Sequence, residues 1–453
     1  MTSRVLIGMV VASLAGCRAR PHPTGALVLA PCELTSPGAA PVATRCGVLR
    51  VPRRPGESTV EVRVAVVPAA SGDPTVDAVV FVPDGPGRAA TESFAAMASA
   101  FARVRHDRDV LLVDWRGSSG PGRLRCPGSA DPLALPLADA VAWSEGCARQ
   151  LGLEPAAFGT DAAVRDLESA RAAQGYERLS VVGVAYGSRL ALAYARAHPD
   201  RVRGLVLAGA APLEVAFGGD ADLNARNALN AVVNRCERDA ACARALPGVR
   251  GDLPRLAARV EALGVGAEAV RQGVLVALES SEMAARLPAL IHAAADGAPA
   301  PLAAFAAALS QESARAISAP LRLAVLCSED VPFFGPRAAA EGFLGASGRE
   351  RLEALCPPWP RAPAAKEPLT GEVPALVLSG TADPTTPPRY GDLVAGRLRR
   401  TIHLVLRGLS HDLLGRGCVP DLVATFVERG GEGGLDATCT RDVTPPPIVP
   451  DPR

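Results

Sequence analysis

Three short stretches of the chain carry residue types suited to acyl transfer, in the order that chemistry uses them. The apolar run Leu179–Val184 leads into Gly183-Val184-Ala185-Tyr186-Gly187 and then into the helical pattern Ser188-Arg-Leu-Ala-Leu-Ala-Tyr194. That strand–turn–helix layout is the nucleophile elbow, G-x-S-x-G, whose glycines are needed because side chains would collide in so tight a turn. The residue at the tip faces the positive end of the following helix. Downstream, Asp383 lies in Thr381-Ala-Asp-Pro-Thr-Thr-Pro387, just after the apolar run Ala375–Leu378. His411 closes Gly408-Leu-Ser-His411, just after the run that ends at Leu406. A histidine that takes a proton and a carboxylate that orients it complete a catalytic triad, and nucleophile, acid, histidine is the order expected after an elbow. Taken singly, a β–α turn with two glycines and a loop histidine are ordinary; the triad reading rests on all three together. His198, before Pro199 at a helix end, and His403, inside a strand, read as structural.

At the tip, where the chemistry needs a hydroxyl, the chain has Ala185. Alanine has no proton to give to His411 and no lone pair with which to attack. In a comparable triad, loss of the serine costs about 10^6 in turnover. Ser188 lies three residues further on, within the helix, and should point away from the tip. Ser118, Ser119 and Ser410 could approach His411, but nothing in their context positions them as nucleophiles.

The elements that must hold these residues are legible as alternation. Val60–Val67 alternates apolar and polar, as a half-exposed, antiparallel strand does. The continuous apolar runs 78–82, 110–113, 179–184, 205–208, 375–378 and 403–406 suit strands buried on both faces. Helical patterns at 161–174, 188–198, 388–398 and 420–427 separate many of them, which predicts an α/β fold with a mostly parallel sheet and helices on both faces. Between about Pro212 and Pro368 the chain is Ala-rich and helix-like. A helical cap over residues 212–367, inserted into a core formed by 31–211 and 368–443, would cover the carboxyl ends of the strands, where such sheets bind ligands. The tail 444–453, with Pro-Pro-Pro, is expected to be loose.

Composition limits the function classes. With 48 basic and 47 acidic residues the formal net charge is +1, so no nucleic-acid partner is expected. Arg4 and the apolar run Val5–Leu14, ending in Leu14-Ala-Gly-Cys17, have the plan of a signal peptide and are too short to span a bilayer. Leu-Ala-Gly-Cys resembles the bacterial lipobox. That assigns residues 1–16 to the signal peptide, Cys17 to lipidation and 17–30 to a tether, making the lipid the only membrane attachment of a cell-envelope protein. Without Cys17, an even ten of the eleven cysteines remain for an oxidising compartment. Neighbour pairing would join Cys32–Cys46, Cys126–Cys147, Cys236–Cys242, Cys327–Cys356 and Cys418–Cys439, although spacing alone does not fix connectivity. No C-x-x-C spacing with nearby histidines suggests a metal.

Beyond the triad, the chain resembles the secreted tripeptidyl aminopeptidases and related prolyl aminopeptidases of the α/β-hydrolase superfamily. The likeness runs from about Cys32 to Cys439. It rests on Phe81-Val-Pro-Asp-Gly-Pro-Gly87, Asp114-Trp-Arg-Gly117, the elbow, and His198-Pro-Asp-Arg-Val-Arg-Gly-Leu-Val-Leu207. It continues in Cys327-Ser-Glu-Asp330, Cys356-Pro-Pro-Trp-Pro360, Thr381-Ala-Asp383 and Ser410-His411. The resemblance implies hydrolysis from a peptide amino terminus, no cofactor, and an oxyanion hole built by Gly85 and Tyr186. It also calls for carboxylates that meet a free ammonium. Glu329 and Asp330 are the candidates, ahead of Glu279 and Glu282, and the ligand would be a peptide or a small acyl compound. Two departures stand out: the family has serine at Ala185, and Gly-Gly-Pro-Gly where this chain has Asp84-Gly-Pro-Gly87. They favour a disarmed, peptide-binding homologue. The alternatives are a hydrolase with another nucleophile, an activated water or an engineered serine-to-alanine change, and an envelope scaffold.

Overall fold

The computed structural model describes residues 27–451 apart from 55, 129–131, 153, 260–265, 337–342, 345–347 and 363. The signal-peptide and Cys17 assignments therefore lie outside the described residues. Nine strands form one sheet: β1 (Ala30–Leu34), β2 (Val42–Pro52), β3 (Thr59–Val67), β4 (Ala78–Val82), β5 (Val110–Val113), β6 (Leu179–Val184), β7 (Val202–Ala208), β8 (Ala375–Gly380) and β9 (Thr401–Leu406). Their order across the sheet is β1-β2-β3-β5-β4-β6-β7-β8-β9. The pairs along β1-β2-β3-β5 are antiparallel and all the rest are parallel.

Alternate side chains of the parallel strands enter two separate cores. Val80, Leu111, Val181, Leu205, Leu207 and Val377 pack with helices Leu137–Leu151, Thr160–Gln174 and Tyr186–Ala197 on one face. Phe81, Leu112, Val182, Val206, Leu376 and Leu378 pack with helices Ala90–Met97 and Val419–Arg429 on the other. The central strands β4, β5 and β8 are accordingly near-continuous apolar runs, as burial on both faces requires, while the edge strand β9 is only partly buried. The fold is the α/β-hydrolase architecture, a mostly parallel sheet with helices on both faces.

Between β7 and β8 the chain leaves the sheet and runs through helices that include Ala221–Arg238, Ala267–Glu279, Leu287–Ala295, Ala300–Ala316 and Ala319–Glu329. Leu229, Val274, Leu278, Leu290, Ile291 and Leu302 give this insertion a core of its own. Its last long helix, Ala319–Glu329, belongs instead to the sheet core through Leu321, Leu323, Val325 and Leu326. The insertion is thus anchored as well as self-packed.

Five disulfides join Cys32–Cys46, Cys126–Cys147, Cys236–Cys242, Cys327–Cys356 and Cys418–Cys439, each to its sequence neighbour. Two boundaries differ from expectation. Leu27, expected in a tether, is buried in the sheet core. The tail, expected loose, lies on the body: Val449 N–H donates to Ala285 O at 3.0 Å, and Ile448 packs against the core of the insertion. Apolar contact and one backbone hydrogen bond are enough to seat a segment whose proline content suggested otherwise.

Candidate active site

β6 ends at Val184, and the chain turns through Ala185 at φ 47° and ψ −116° into helix Tyr186–Ala197. Ala185 is the one non-glycine residue with positive φ among the described residues. Such a backbone costs about 1–3 kcal/mol and persists only where the surroundings over-determine it. A Cβ on Gly183 would lie 2.5 Å from Gly187 O, and one on Gly187 would lie 2.4 Å from both Val82 O and Pro83 O. The turn is pressed flat against the end of β4, so both glycines are steric necessities. Ala185 N–H donates to Ala208 O at 3.0 Å and fixes the tip to β7.

Asp383 and His411 meet beside this turn. Asp383 Oδ1 accepts the N–H groups of Thr385 and Thr386, each at 2.8 Å. Its Oδ2 accepts Thr386 Oγ1 at 2.7 Å and lies 2.7 Å from His411 Nδ1. Thr386 Oγ1 is itself 3.1 Å from His411 Nδ1, so this threonine is a third member of the pair. Sequence reasoning passed over it, although a hydroxyl three residues after the candidate acid was the available signal. Gly209, just beyond β7, leaves room for the ring: a Cβ there would lie 2.8 Å from His411 Cε1 and 2.4 Å from Thr386 Oγ1. His411 Nε2, the atom that would serve a nucleophile, is buried with no hydrogen-bond partner among the described residues.

Electrostatics set the protonation of this pair. Burial alone would raise the Asp383 carboxyl, but the His411 charge and four hydrogen bonds hold it below its ordinary value. Burial opposes charge on His411 as well. Asp383, then Asp84 and Glu279, outweigh it and raise the imidazole to about 10. The ring is therefore a cation at neutral pH.

The remaining hydroxyls are engaged elsewhere. Ser188 Oγ donates to Ala185 O at 2.5 Å and accepts Ala211 N–H at 2.8 Å, stapling the elbow. Ser118 Oγ donates to Trp115 O at 2.6 Å, and Ser119 bonds to Asp114. Ser410 follows β9 on the histidine loop, and its N–H donates to Ser281 Oγ at 3.0 Å. None of these is held as a nucleophile toward Nε2.

A cavity of about 170 Å³ opens above the site between the sheet and the insertion. Asp84, Gly85, Phe217, Leu275, Glu279 and Arg322 are among its walls. This placement corrects the expected ligand-binding acids. Glu329 accepts Thr160 N–H at 2.7 Å and Thr160 Oγ1 at 2.6 Å, while Asp330 pairs with Arg189 at 3.0 Å and Lys366 at 2.8 Å. Both also receive the Tyr186 hydroxyl, at 3.2 and 3.3 Å. They are a buried support under the elbow helix: they sit at the C-terminal end of a helix whose other face reaches the cavity, and their own side chains are absorbed by Thr160, Tyr186, Arg189 and Lys366. Glu282 is held by Arg416, which depresses its carboxyl to about 2. Of the four candidate acids, Glu279 is the one in the cavity lining. Burial first, and then the Asp84 charge, raise its carboxyl above the ordinary value. Its backbone carbonyl accepts His411 N–H at 3.2 Å, so the insertion touches the histidine directly. Among the described residues no group of three His, Cys, Asp or Glu is placed to hold a metal.

Comparison with known proteins bears on the fold and on the family. Residues 77–248 match the alpha/beta hydrolase fold family model, and residues 343–439 match the TAP-like protein model. The serine protease Hip1 of Mycobacterium tuberculosis is 26% identical over 473 residues, covering 90% of both chains. The tripeptidyl aminopeptidase of Streptomyces coelicolor is 28% identical over 148 residues, 29% of this chain and 27% of that one. The proline iminopeptidase of Neisseria gonorrhoeae is 32% identical over 142 residues, 31% and 34% of the respective chains.

Proposed function

We propose that this chain is a disarmed α/β-hydrolase of the aminopeptidase-like kind that binds peptides without cleaving them, a reading supported by the two family-model matches and by the likeness to Hip1 over 90% of both chains. The observation that carries the proposal is Ala185 at the tip of an otherwise complete elbow, beside an ordered Asp383–His411 pair. A scaffold would have no use for a buried ion pair with one ring nitrogen left unpartnered, because an unmet buried donor costs about 1–3 kcal/mol. The cavity supplies carboxylates at Asp84 and Glu279 and an apolar wall at Phe217 and Leu275, which suits a short peptide with a free amino terminus. A small acyl compound would use the same wall. The five disulfides suit an exported protein. No helix among the described residues is long and apolar enough to cross a membrane. Attachment through a lipid on Cys17 in the cell envelope, with no nucleic-acid partner, completes the proposal.

Turnover and binding separate the possibilities. The full chain is assayed on a panel of aminoacyl and tripeptidyl chromogenic substrates. Calorimetry then compares a tripeptide carrying a free amino terminus with its N-acetyl form. The expected result is no turnover above buffer and at least about tenfold tighter binding of the free form, equivalent to about 1.4 kcal/mol. Turnover by the chain as it stands, or indifference to acetylation, would sink the proposal.

A further inference from the structure

We infer that the Asp84 carboxylate is a resident anion in the oxyanion hole, so that the site is disarmed twice, once at Ala185 and once at Asp84. The inference rests on the reading of the site as a former acyl-transfer centre. It concerns a different residue and a different step. An oxyanion hole here would be built from the N–H of Gly85 and the N–H of Tyr186, which opens the elbow helix and so has no intrahelical acceptor. The two loops are in place for it, since the elbow is packed on Val82 and Pro83, and Asp84, Gly85, Tyr186 and Gly187 line one small cavity. Gly85 N–H, however, already donates to Asp84 Oδ1 at 2.6 Å. The carboxylate has not turned away; it faces both this cavity and the larger one.

Two steps of acyl transfer are blocked by this arrangement. In an Ala185→Ser chain, the new hydroxyl oxygen would bond to the acyl carbon while its proton passes to His411 Nε2. The carbonyl electron pair would move onto oxygen, and the hole would have to receive that charge. A hole whose donor is engaged by a carboxylate cannot do so, and loss of one donor costs about 10^2–10^3 in turnover. The proton also has nowhere to go. His411 Nδ1 is held by Asp383 and Thr386, and the charges of Asp84 and Glu279 act on the ring as well, with Arg322 and Arg88 acting in turn on Glu279. Those carboxylates keep the ring protonated.

The test compares Ala185→Ser with the double variants Ala185→Ser/Asp84→Gly and Ala185→Ser/Asp84→Ala on a tripeptidyl p-nitroanilide. Folding of each is checked by its melting curve. Both doubles are expected to exceed the single variant by about 10^2 in kcat, whatever happens to KM through the loss of a carboxylate from the cavity wall. The acid limb of their pH–rate profile is expected to move to lower pH, because one of the carboxylates that raise His411 is gone. A merely structural role for Asp84 would not move that limb. The inference is overturned if the single variant matches both doubles within about threefold. It is equally overturned if neither double gains kcat at any pH, or if the gain is confined to KM. The kcat outcomes do not depend on whether the unaltered chain binds free amino termini.

Discussion

At the scale of single residues, strain and burial concentrate at the elbow and at the pair beside it. Ala185 holds a positive-φ backbone, and His411 and Asp383 form a pair sealed from solvent. The pair leaves a mark on stability. Its histidine has a folded pKa of about 10 against an ordinary 6.5. A pKa raised on folding contributes stability that is fully present below the unfolded value and lost as pH rises through the folded one. Asp383 is shifted the other way, so its contribution is present above 3.8 and lost as pH falls. Both edges describe one ion pair and are not additive. The melting temperature is therefore expected to be highest between about pH 4 and 6.5 and to decline toward pH 10, where the imidazolium is lost. In His411→Gln the alkaline decline should flatten. Parallel pH profiles for the two chains, followed by calorimetry, would show that the pair carries no such linkage.

Elements were legible in proportion to how local their cause is. The parallel strands were readable because their apolar runs are largely buried between two layers of helices, even at the half-exposed edge strand β9, and β3 because one alternating run fixed its character. The antiparallel β1 and β2 escaped notice: Val42–Pro52 mixes two arginines and a glycine into a strand with no clean apolar/polar alternation, although its partners β1 and β3 are its neighbours in sequence. Asp383 and His411 were readable from their places after strands, whereas the roles of Glu329, Asp330 and Glu279 were not. Those depend on how the inserted helices pack, which no short stretch encodes. Helices Ala267–Glu279 and Ala300–Ala316 touch at Gly273, where a Cβ would lie 2.3 Å from Ala306 Cα. Gly273→Val should force these helices apart, destabilise the chain by about 1–3 kcal/mol and weaken peptide binding, since Glu279 ends the same helix. Gly251, a helical glycine facing open space, is the control, and Gly251→Ala should be neutral or stabilising by up to about 1 kcal/mol. Urea denaturation with binding titrations decides; if Gly273→Val behaves like the control, the helices are not held at that contact.

For the molecule as a whole, the insertion between β7 and β8 is the part that must be kept in place, because the cavity lies between it and the sheet. Three ties hold it. Ser281 N–H and Oγ both donate to Asp412 Oδ1, at 3.1 and 2.7 Å, next to the histidine. The chain's tail bonds back to Ala285. The Cys327–Cys356 bridge joins the helix anchored in the sheet core to the segment leading back to β8. The disulfides are not equivalent, because a cross-link limits the unfolded chain more when it closes a longer loop. Cys327–Cys356 closes 29 residues and Cys236–Cys242 only 6. The chain-entropy relation then assigns about 3.6 kcal/mol to the first and about 2.2 kcal/mol to the second. Paired serine replacements at each bridge should therefore lower stability unequally in urea. The Cys327/Cys356 replacement should also weaken ligand binding, since helix Ala319–Glu329 carries Arg322 into the cavity wall. Replacement of Cys236/Cys242, remote from the cavity lining, should leave binding within about twofold, because a stability loss of about 2 kcal/mol leaves a chain of ordinary stability almost wholly folded. Equal losses from the two replacements would mean that loop closure does not set their contributions. Unchanged binding in the first would mean that the bridge does not hold the cavity's shape.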